Sequence, residues 1–77
     1  MHQFDEIDAH LAGYPEVMTP GEVAAVLRVE AQTVVKWFGE NHLPGFQIGP
    51  KRSWRTFKSE LRKYLQVNRN GWGVTSE

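Results

Sequence analysis

The 77-residue sequence contains no cysteine, so it has no disulfides and no thiolate metal ligands, and nothing marks an oxidising compartment. No apolar run approaches the roughly 18 residues that a membrane span needs. The amino terminus lacks the basic and apolar regions of a signal peptide. We therefore expect a soluble intracellular protein without a membrane partner.

Residues suited to catalysis or metal binding are few and dispersed. His2, His10 and His42 have no further ligands at a metal-binding spacing. No Ser/His/Asp set and no pair of carboxylates stands out as a catalytic arrangement. A chain this short forms one domain, which buries only about 60 to 65% of the surface that its unfolded chain exposes. We expect no enzyme, and no cofactor, metal or small-molecule ligand.

The formal net charge of zero conceals an uneven distribution along the chain. Residues 1–30 hold six acids against one base, a net charge of −5, and residues 31–77 hold eight bases against three acids, a net charge of +5. Such asymmetry indicates either nucleic-acid binding by the basic half or two solvated faces. The positions of the bases decide between these interpretations.

The clearest local signal is the start of a helix after Met18. Thr19 suits the N-cap, Pro20 suits the first helical position, and Glu22 completes a capping box. Met18 and Val23 have the spacing of a hydrophobic staple. We predict a short helix with one apolar face.

A second helix is predicted from Ala31 to about Glu40, with Glu30 at its N-cap. Asn41 tolerates the left-handed conformation that ends many helices, and Pro44 forbids continuation. Two helices this short, joined by so few residues, form a helix-turn-helix. The inner face of the second helix comprises Val34, Trp37 and Phe38.

Between Leu43 and Phe57 the pattern changes from helical to alternating, which predicts a β-hairpin. Pro50 at the second position of its turn suits a type I turn. A lone hairpin is marginal in water, so its apolar side chains should pack on the helices. These side chains are Phe46, Ile48 and Trp54. Three bases at the tip and on the outward face make the hairpin a wing, and they are Lys51, Arg52 and Arg55.

A third helix is predicted from Phe57 to about Gln66, with Thr56 as its cap. Spacing at helical intervals gives it one apolar stripe. The stripe comprises Phe57, Leu61, Tyr64 and Leu65. The bases on its other faces are interpreted as solvent-facing, and they are Lys58, Arg62 and Lys63.

Outside the predicted domain of residues 18–66, the chain has an acidic arm at residues 1–17 and a tail at residues 67–77. The arm packs loosely on the domain, is partly disordered, or forms a helical lid over the core. Trp72 stands between two glycines in the tail. It is either an anchor folded back onto the domain or an exposed contact for a partner.

Residues 18–65 resemble the excisionase-type, MerR-like winged helix-turn-helix domains of phage excisionases and small bacterial regulators. The residues that carry the resemblance include Thr19, Pro20, Glu22, Val29, Thr33, Trp37, Leu43, Pro44, Ile48, Gly49, Lys51 and Arg52. It implies a mainly α fold with a small β-hairpin, which is a winged helix-turn-helix. It also implies a phage or bacterial protein that works on DNA in the host cytoplasm.

Three positions depart from the pattern of this family. Arg28 and Asn41 stand where these domains usually have glycine, which predicts strained or reshaped turns. Glu30 replaces the usual serine cap and places an anion near the expected DNA phosphates.

Proteins with a helix-turn-helix place the early residues of the second helix on base edges in the major groove. In this sequence those residues are Gln32, Thr33, Val35 and Lys36. By their chemistry, Gln32 pairs with adenine, Val35 contacts a thymine methyl group, and Lys36 reaches guanine or a phosphate. The wing bases are placed along the phosphate backbone or in the minor groove.

Resemblance to phage excisionases implies an architectural role in recombination. Several protomers bind adjacent attachment sites, bend the DNA and recruit integrase, so that excision replaces integration. The partners are then double-stranded DNA, a phage integrase and further copies of the chain. A small transcriptional regulator is the close alternative, and a protein-interaction module is a hypothesis from a different class.

Overall fold

The computed structural model describes residues 6–68. In chain order the elements are α1 (Glu6–Leu11), β1 (Val17–Met18), α2 (Pro20–Leu27), α3 (Ala31–Gly39), β2 (Phe46–Ile48), β3 (Ser53–Phe57) and α4 (Lys58–Val67). The predicted fold class is confirmed, since the domain is mostly helical with a small antiparallel sheet, consistent with a winged helix-turn-helix.

The start of α2 agrees with the prediction. The Glu22 N–H donates to Thr19 Oγ1 at 3.1 Å, and the Thr19 N–H donates to Glu22 Oε1 at 3.0 Å, which closes the capping box. At the other end Arg28 is left-handed, with φ 61°. The N–H groups of Arg28 and Val29 both donate to the Ala24 carbonyl. The turn therefore keeps its left-handed geometry without glycine.

Helix α3 follows with Glu30 at its N-cap, and it ends at Gly39, one residue before the predicted position. Asn41 takes the predicted left-handed conformation, with φ 63°. The His42 N–H donates to the Trp37 carbonyl at 2.8 Å. This arrangement is a Schellman motif, which satisfies backbone carbonyls at the end of a helix.

Strand β1 extends the predicted hairpin into a three-stranded antiparallel sheet of order β1-β3-β2. Strand β2 pairs with β3 in a register that sets Phe46 opposite Arg55 and Gln47 opposite Trp54. Directly opposed residues share one face of a sheet, so Phe46 and Trp54 lie on opposite faces. The prediction that these side chains pack on the helices is therefore correct for Trp54 and wrong for Phe46 and Ile48, which lie on the other face.

The two faces of the sheet differ in burial. On the inner face Trp54 stacks on Phe38 of α3, with ring centroids 5.3 Å apart. On the outer face Ile48 is 43% exposed and Phe57 is 42% exposed. The ring of Phe57 lies 4.9 Å from that of Phe46 on this outer face. Only the inner face contributes to the core.

Helix α4 begins at Lys58, and its cap is not the predicted one. Thr56 lies within β3, where its buried hydroxyl donates to the Pro44 carbonyl at 2.6 Å. The Glu16 carboxylate instead accepts from the Ser59 N–H at 3.2 Å and from Ser59 Oγ at 2.9 Å. Both Thr56 as cap and Phe57 as a helical residue are wrong, because β3 continues through these residues to pair with β1.

The core lies between the helices and the inner face of the sheet. Its buried side chains are Leu11, Met18, Val23, Ala24, Val34, Phe38, Leu43 and Leu61. Leu11 belongs to α1, and α1 packs on α4. The described part of the acidic arm thus forms a helical lid, and loose packing is wrong for residues 6–11.

The longest helix in the described residues is α4, with 10 residues. Within residues 6–68, none of the helices combines the length and the apolar character required to cross a membrane. The same residues contain no group of three or more His, Asp or Glu side chains placed to hold a metal ion.

Candidate nucleic-acid interface

The exposed face of α3 is the first component of the candidate interface. Val34 is completely buried, whereas Val35 is 39% exposed. Gln32 and Lys36 are also exposed, and with Val35 they recur at intervals of three and four residues, which places them on one side of the helix. Three of the four predicted recognition residues therefore share one face.

Thr33 occupies a different position. It is half-buried, and its N–H donates to the Glu30 carbonyl at 3.0 Å in the first turn of α3. It lies at the edge of the exposed face, between that face and the core. This placement suits a residue that supports the helix start.

The start of α3 carries an anion without a capping role. Glu30 has the extended backbone of an N-cap, but its side chain makes no capping hydrogen bond. The side chain is exposed. A carboxylate there interacts favourably with the positive end of the helix dipole. It also places a negative charge beside the face that carries Gln32.

The hairpin tip is the second component. The Arg52 N–H donates to the Gly49 carbonyl at 3.0 Å and closes the four-residue turn, with Pro50 at its second position as predicted. The Lys51 φ is not positive, which excludes a type II turn. Lys51 and Arg52 are both exposed at this tip.

Gln47 fixes the shape of the tip, a role that the sequence analysis missed. Its Nε2 donates to the Arg52 carbonyl at 3.1 Å, and its Oε1 accepts from Arg52 Nη2 at 3.3 Å. The guanidinium of Arg52 is thus held against β2. In the sequence, the only indication of this role was that Gln47 lies in a predicted strand next to a basic turn.

Arg55 is separated from the other two wing bases. It is half-buried on the outer face of the sheet, opposite Phe46, and its Nη1 donates to the Trp54 carbonyl at 2.7 Å. The structure brings Lys51 and Arg52 together at the tip and places Arg55 on the sheet.

Packing between α3 and the sheet fixes the two components relative to each other. The stack of Phe38 on Trp54 joins the buried side of α3 to the inner face of the sheet. Gly45 lies directly against this joint, because a Cβ atom at that position would stand 2.5 Å from Phe38 Cδ1. Helix and wing are therefore parts of one packed unit.

Bases on α4 interact with the amino-terminal residues. Arg62 forms an ion pair with Asp8 of α1, and Lys58 Nζ donates to the Tyr14 carbonyl at 2.7 Å. The interpretation of the α4 bases as solvent-facing therefore fits the exposed Lys63, whereas Lys58 and Arg62 make contacts within the domain. Part of the charge segregation in the sequence thus serves the packing of α1 on α4.

Arg28 is an exposed base that the sequence analysis treated only as a turn residue. It lies in the turn between α2 and α3, two residues before Glu30. It is the one base among residues 1–30, and that isolated position could have identified it in the sequence. Trp72, the predicted partner contact, lies outside the described residues.

Comparison with known families agrees with this architecture. Searches of curated proteins and of solved structures give no match. A family model described as a helix-turn-helix domain matches residues 17–69, which is more than half of the chain. The matched family includes excisionase-like and DNA-binding proteins, and it points to DNA binding. The chain therefore belongs to the helix-turn-helix domain family.

Proposed function

We propose that the chain binds double-stranded DNA with α3 in the major groove and the hairpin tip on the neighbouring backbone. The observation that carries this proposal is the exposure of Gln32, Val35 and Lys36 on the one side of α3 that does not pack on the core. The major groove admits one helix, and side chains on such a face reach base edges. The protein itself performs no catalysis.

The three exposed side chains divide base recognition between them. The Gln32 amide pairs bidentately with adenine, and the Val35 methyl groups contact a thymine methyl. Lys36 reaches guanine or a phosphate. Thr33, which is half-buried, holds the first turn in place. Replacing Gln32 should relax base preference more than it weakens binding overall.

The wing supplies affinity that does not depend on sequence. Lys51 and Arg52 lie along phosphates or enter the minor groove, and Arg55 contributes from the sheet. The hydrogen bond from Arg52 to Gln47 partly orders this guanidinium and so reduces the side-chain entropy lost when it meets DNA. If about four or five phosphates are neutralised, log affinity falls with log salt at a slope of roughly −4.

We further propose an architectural role, as an excisionase of phage or bacterial DNA. A single domain of this size buries only about 600–1,000 Å² of its surface on DNA. Useful specificity therefore needs several copies on adjacent sites, which bend the DNA and direct a phage integrase towards excision. The DNA, the integrase and the neighbouring copies are its partners in the bacterial cytoplasm.

Fluorescence anisotropy with duplex DNA at low and physiological salt tests the binding mode. Lys51→Ala should reduce the salt slope by about 1, since one phosphate contact is lost. The matched control is Lys63→Ala on α4, which removes the same charge and should leave the slope unchanged. Absence of binding by the parent protein at low salt would overturn the proposal and favour a protein-interaction module.

Competition between attachment-site DNA and promoter DNA tests the biological role. Preference for attachment-site DNA, with cooperative binding and faster integrase-mediated excision, is the result expected of an excisionase. Preference for promoter DNA without an effect on excision would instead identify a small transcriptional regulator. Both outcomes retain the binding mode and differ only in the site that is recognised.

A further inference from the structure

A groove of about 310 Å³ lies between α1, the end of α2 and the end of α4. Its walls are mainly apolar and half-buried, and they border the core. The lining residues are Glu6, Ile7, His10, Val26, Leu27, Leu65 and Asn68. None of them belongs to α3 or to the hairpin, so the groove is separate from the proposed DNA interface.

We infer that this groove holds the indole ring of Trp72 from the same chain. Asn68 lines the groove and is the last residue that the structure describes. Only three residues separate it from Trp72, and a span of four residues reaches at most about 14 Å. Asn70 and Gly71 form a sequence pair that favours a turn, and such a turn would direct Trp72 back along α4 towards Leu65.

The groove also matches the polar part of an indole. A buried tryptophan N–H needs a hydrogen-bond acceptor. Asn68 Nδ2 donates to the Tyr64 carbonyl at 2.8 Å, while Asn68 Oδ1 accepts no hydrogen bond from any residue within 6–68. Asn68 lines the rim of the groove, where its Oδ1 can accept from Trp72 Nε1. The apolar part of the ring covers Ile7 and Leu65.

Phe4 is the rival occupant, because it precedes Glu6 at the opposite rim of the groove. A phenyl ring offers no donor to Asn68 Oδ1, which would then bond only to water at the exposed rim. Trp72 satisfies both the apolar walls and the acceptor. Docking of Trp72 does not require DNA, and a partner that binds the tail must first draw the ring out of the groove.

Thermal unfolding of the full chain tests this inference without DNA. Trp72→Ala should lower Tm by about 4–8 °C, because the ring no longer covers the groove. Val74→Ala is the matched tail control and should change Tm by less than about 1 °C. In a Leu65→Ala background the effect of Trp72→Ala should shrink, since residues in contact are not additive.

A structural readout separates docking from an indirect effect. Nuclear Overhauser contacts between the Trp72 indole and the methyl groups of Leu65 and Val26 are expected in the parent protein. An unchanged Tm for Trp72→Ala together with missing contacts would overturn the inference, as would a loss of Tm caused by Phe4→Ala alone. A Tm loss that appears only at high protein concentration would also contradict it, because it would indicate docking between two copies.

Discussion

The helix-turn-helix of residues 19–43 and the segment of residues 44–59 are held together in different ways. In the first region the ordering contacts are local, as in the pairing of Thr19 with Glu22 three residues away. In the second region several of them join residues that are far apart in the sequence. Ser59 binds Glu16, which lies 43 residues away, and the Thr56 hydroxyl binds the carbonyl of Pro44, 12 residues away.

Because of this difference, a short stretch of sequence is enough to predict the contacts of the first region but not those of the second. Capping boxes and Schellman motifs are specified by residues within one or two turns of each other. Strand partners and long-range caps depend on loop closure and on the packing of the whole domain. Substitutions in the two regions should therefore differ in size and in kind.

The largest effect is expected at the joint between the two regions. Gly45→Ala should lower the free energy of unfolding by about 1–3 kcal/mol, because the new Cβ atom stands 2.5 Å from Phe38 Cδ1. The Phe38 ring is buried in the core and stacked on Trp54, so it has little room to move. Urea denaturation measures the change.

Gly39→Ala provides the matched control within α3. A Cβ atom at Gly39 meets nothing within 4 Å, and alanine is the better helix former by about 0.5–1 kcal/mol. The same substitution should therefore raise stability at position 39 and lower it at position 45. Equal effects at the two positions would show that Gly45 is not under steric constraint.

Thr56→Val is expected to cost about 1–2 kcal/mol of unfolding free energy. Valine preserves the shape of the side chain and its β-branching but removes the hydroxyl that donates to the Pro44 carbonyl. The carbonyl then loses its partner inside the domain. Ser53→Ala in the same strand is the control, since Ser53 is exposed and should change stability by less than about 0.5 kcal/mol.

The two helix caps allow a direct test of local against long-range stabilisation. Thr19→Ala should cost about 1 kcal/mol through loss of the capping box, and Glu16→Ala should cost about 0.5–1 kcal/mol through loss of the α4 cap. Amide hydrogen exchange distinguishes them, because Glu16→Ala should expose the first turn of α4 while α2 stays protected. Equal loss of protection in both helices would contradict a separate role for each cap.

The smallest effect on stability is expected for Glu30→Ser. A serine hydroxyl can cap α3, which Glu30 does not do, but the favourable carboxylate at the helix dipole is lost, so the net gain is about 0.5 kcal/mol. Under the proposed function, removal of the anion should also tighten DNA binding several-fold at low salt. Glu60→Ser on α4 is the control in anisotropy titrations, and an equal gain for both variants would indicate only a change in net charge.

The sequence was enough to predict where the helices of the helix-turn-helix lie, but not which hairpin residues share a face of the sheet. The spacing of Val34 and Phe38 indicated the buried side of α3, and both residues are buried. In the hairpin, alternation grouped Phe46 and Ile48 correctly with each other but not with Trp54. The register across the turn decides which face of the sheet each side chain occupies. The four-residue turn places Trp54 opposite Gln47.

The sequence by itself determined the two helices of the helix-turn-helix, the left-handed end at Asn41 and the basic tip of the wing, because each depends on residues a few positions apart. Only the tertiary structure decided that Val17 and Met18 form a third strand, that Glu16 caps α4 and that the described arm covers the core. These features arise when distant segments meet around a shared core, and their stabilising contacts exist only after the chain has closed on itself.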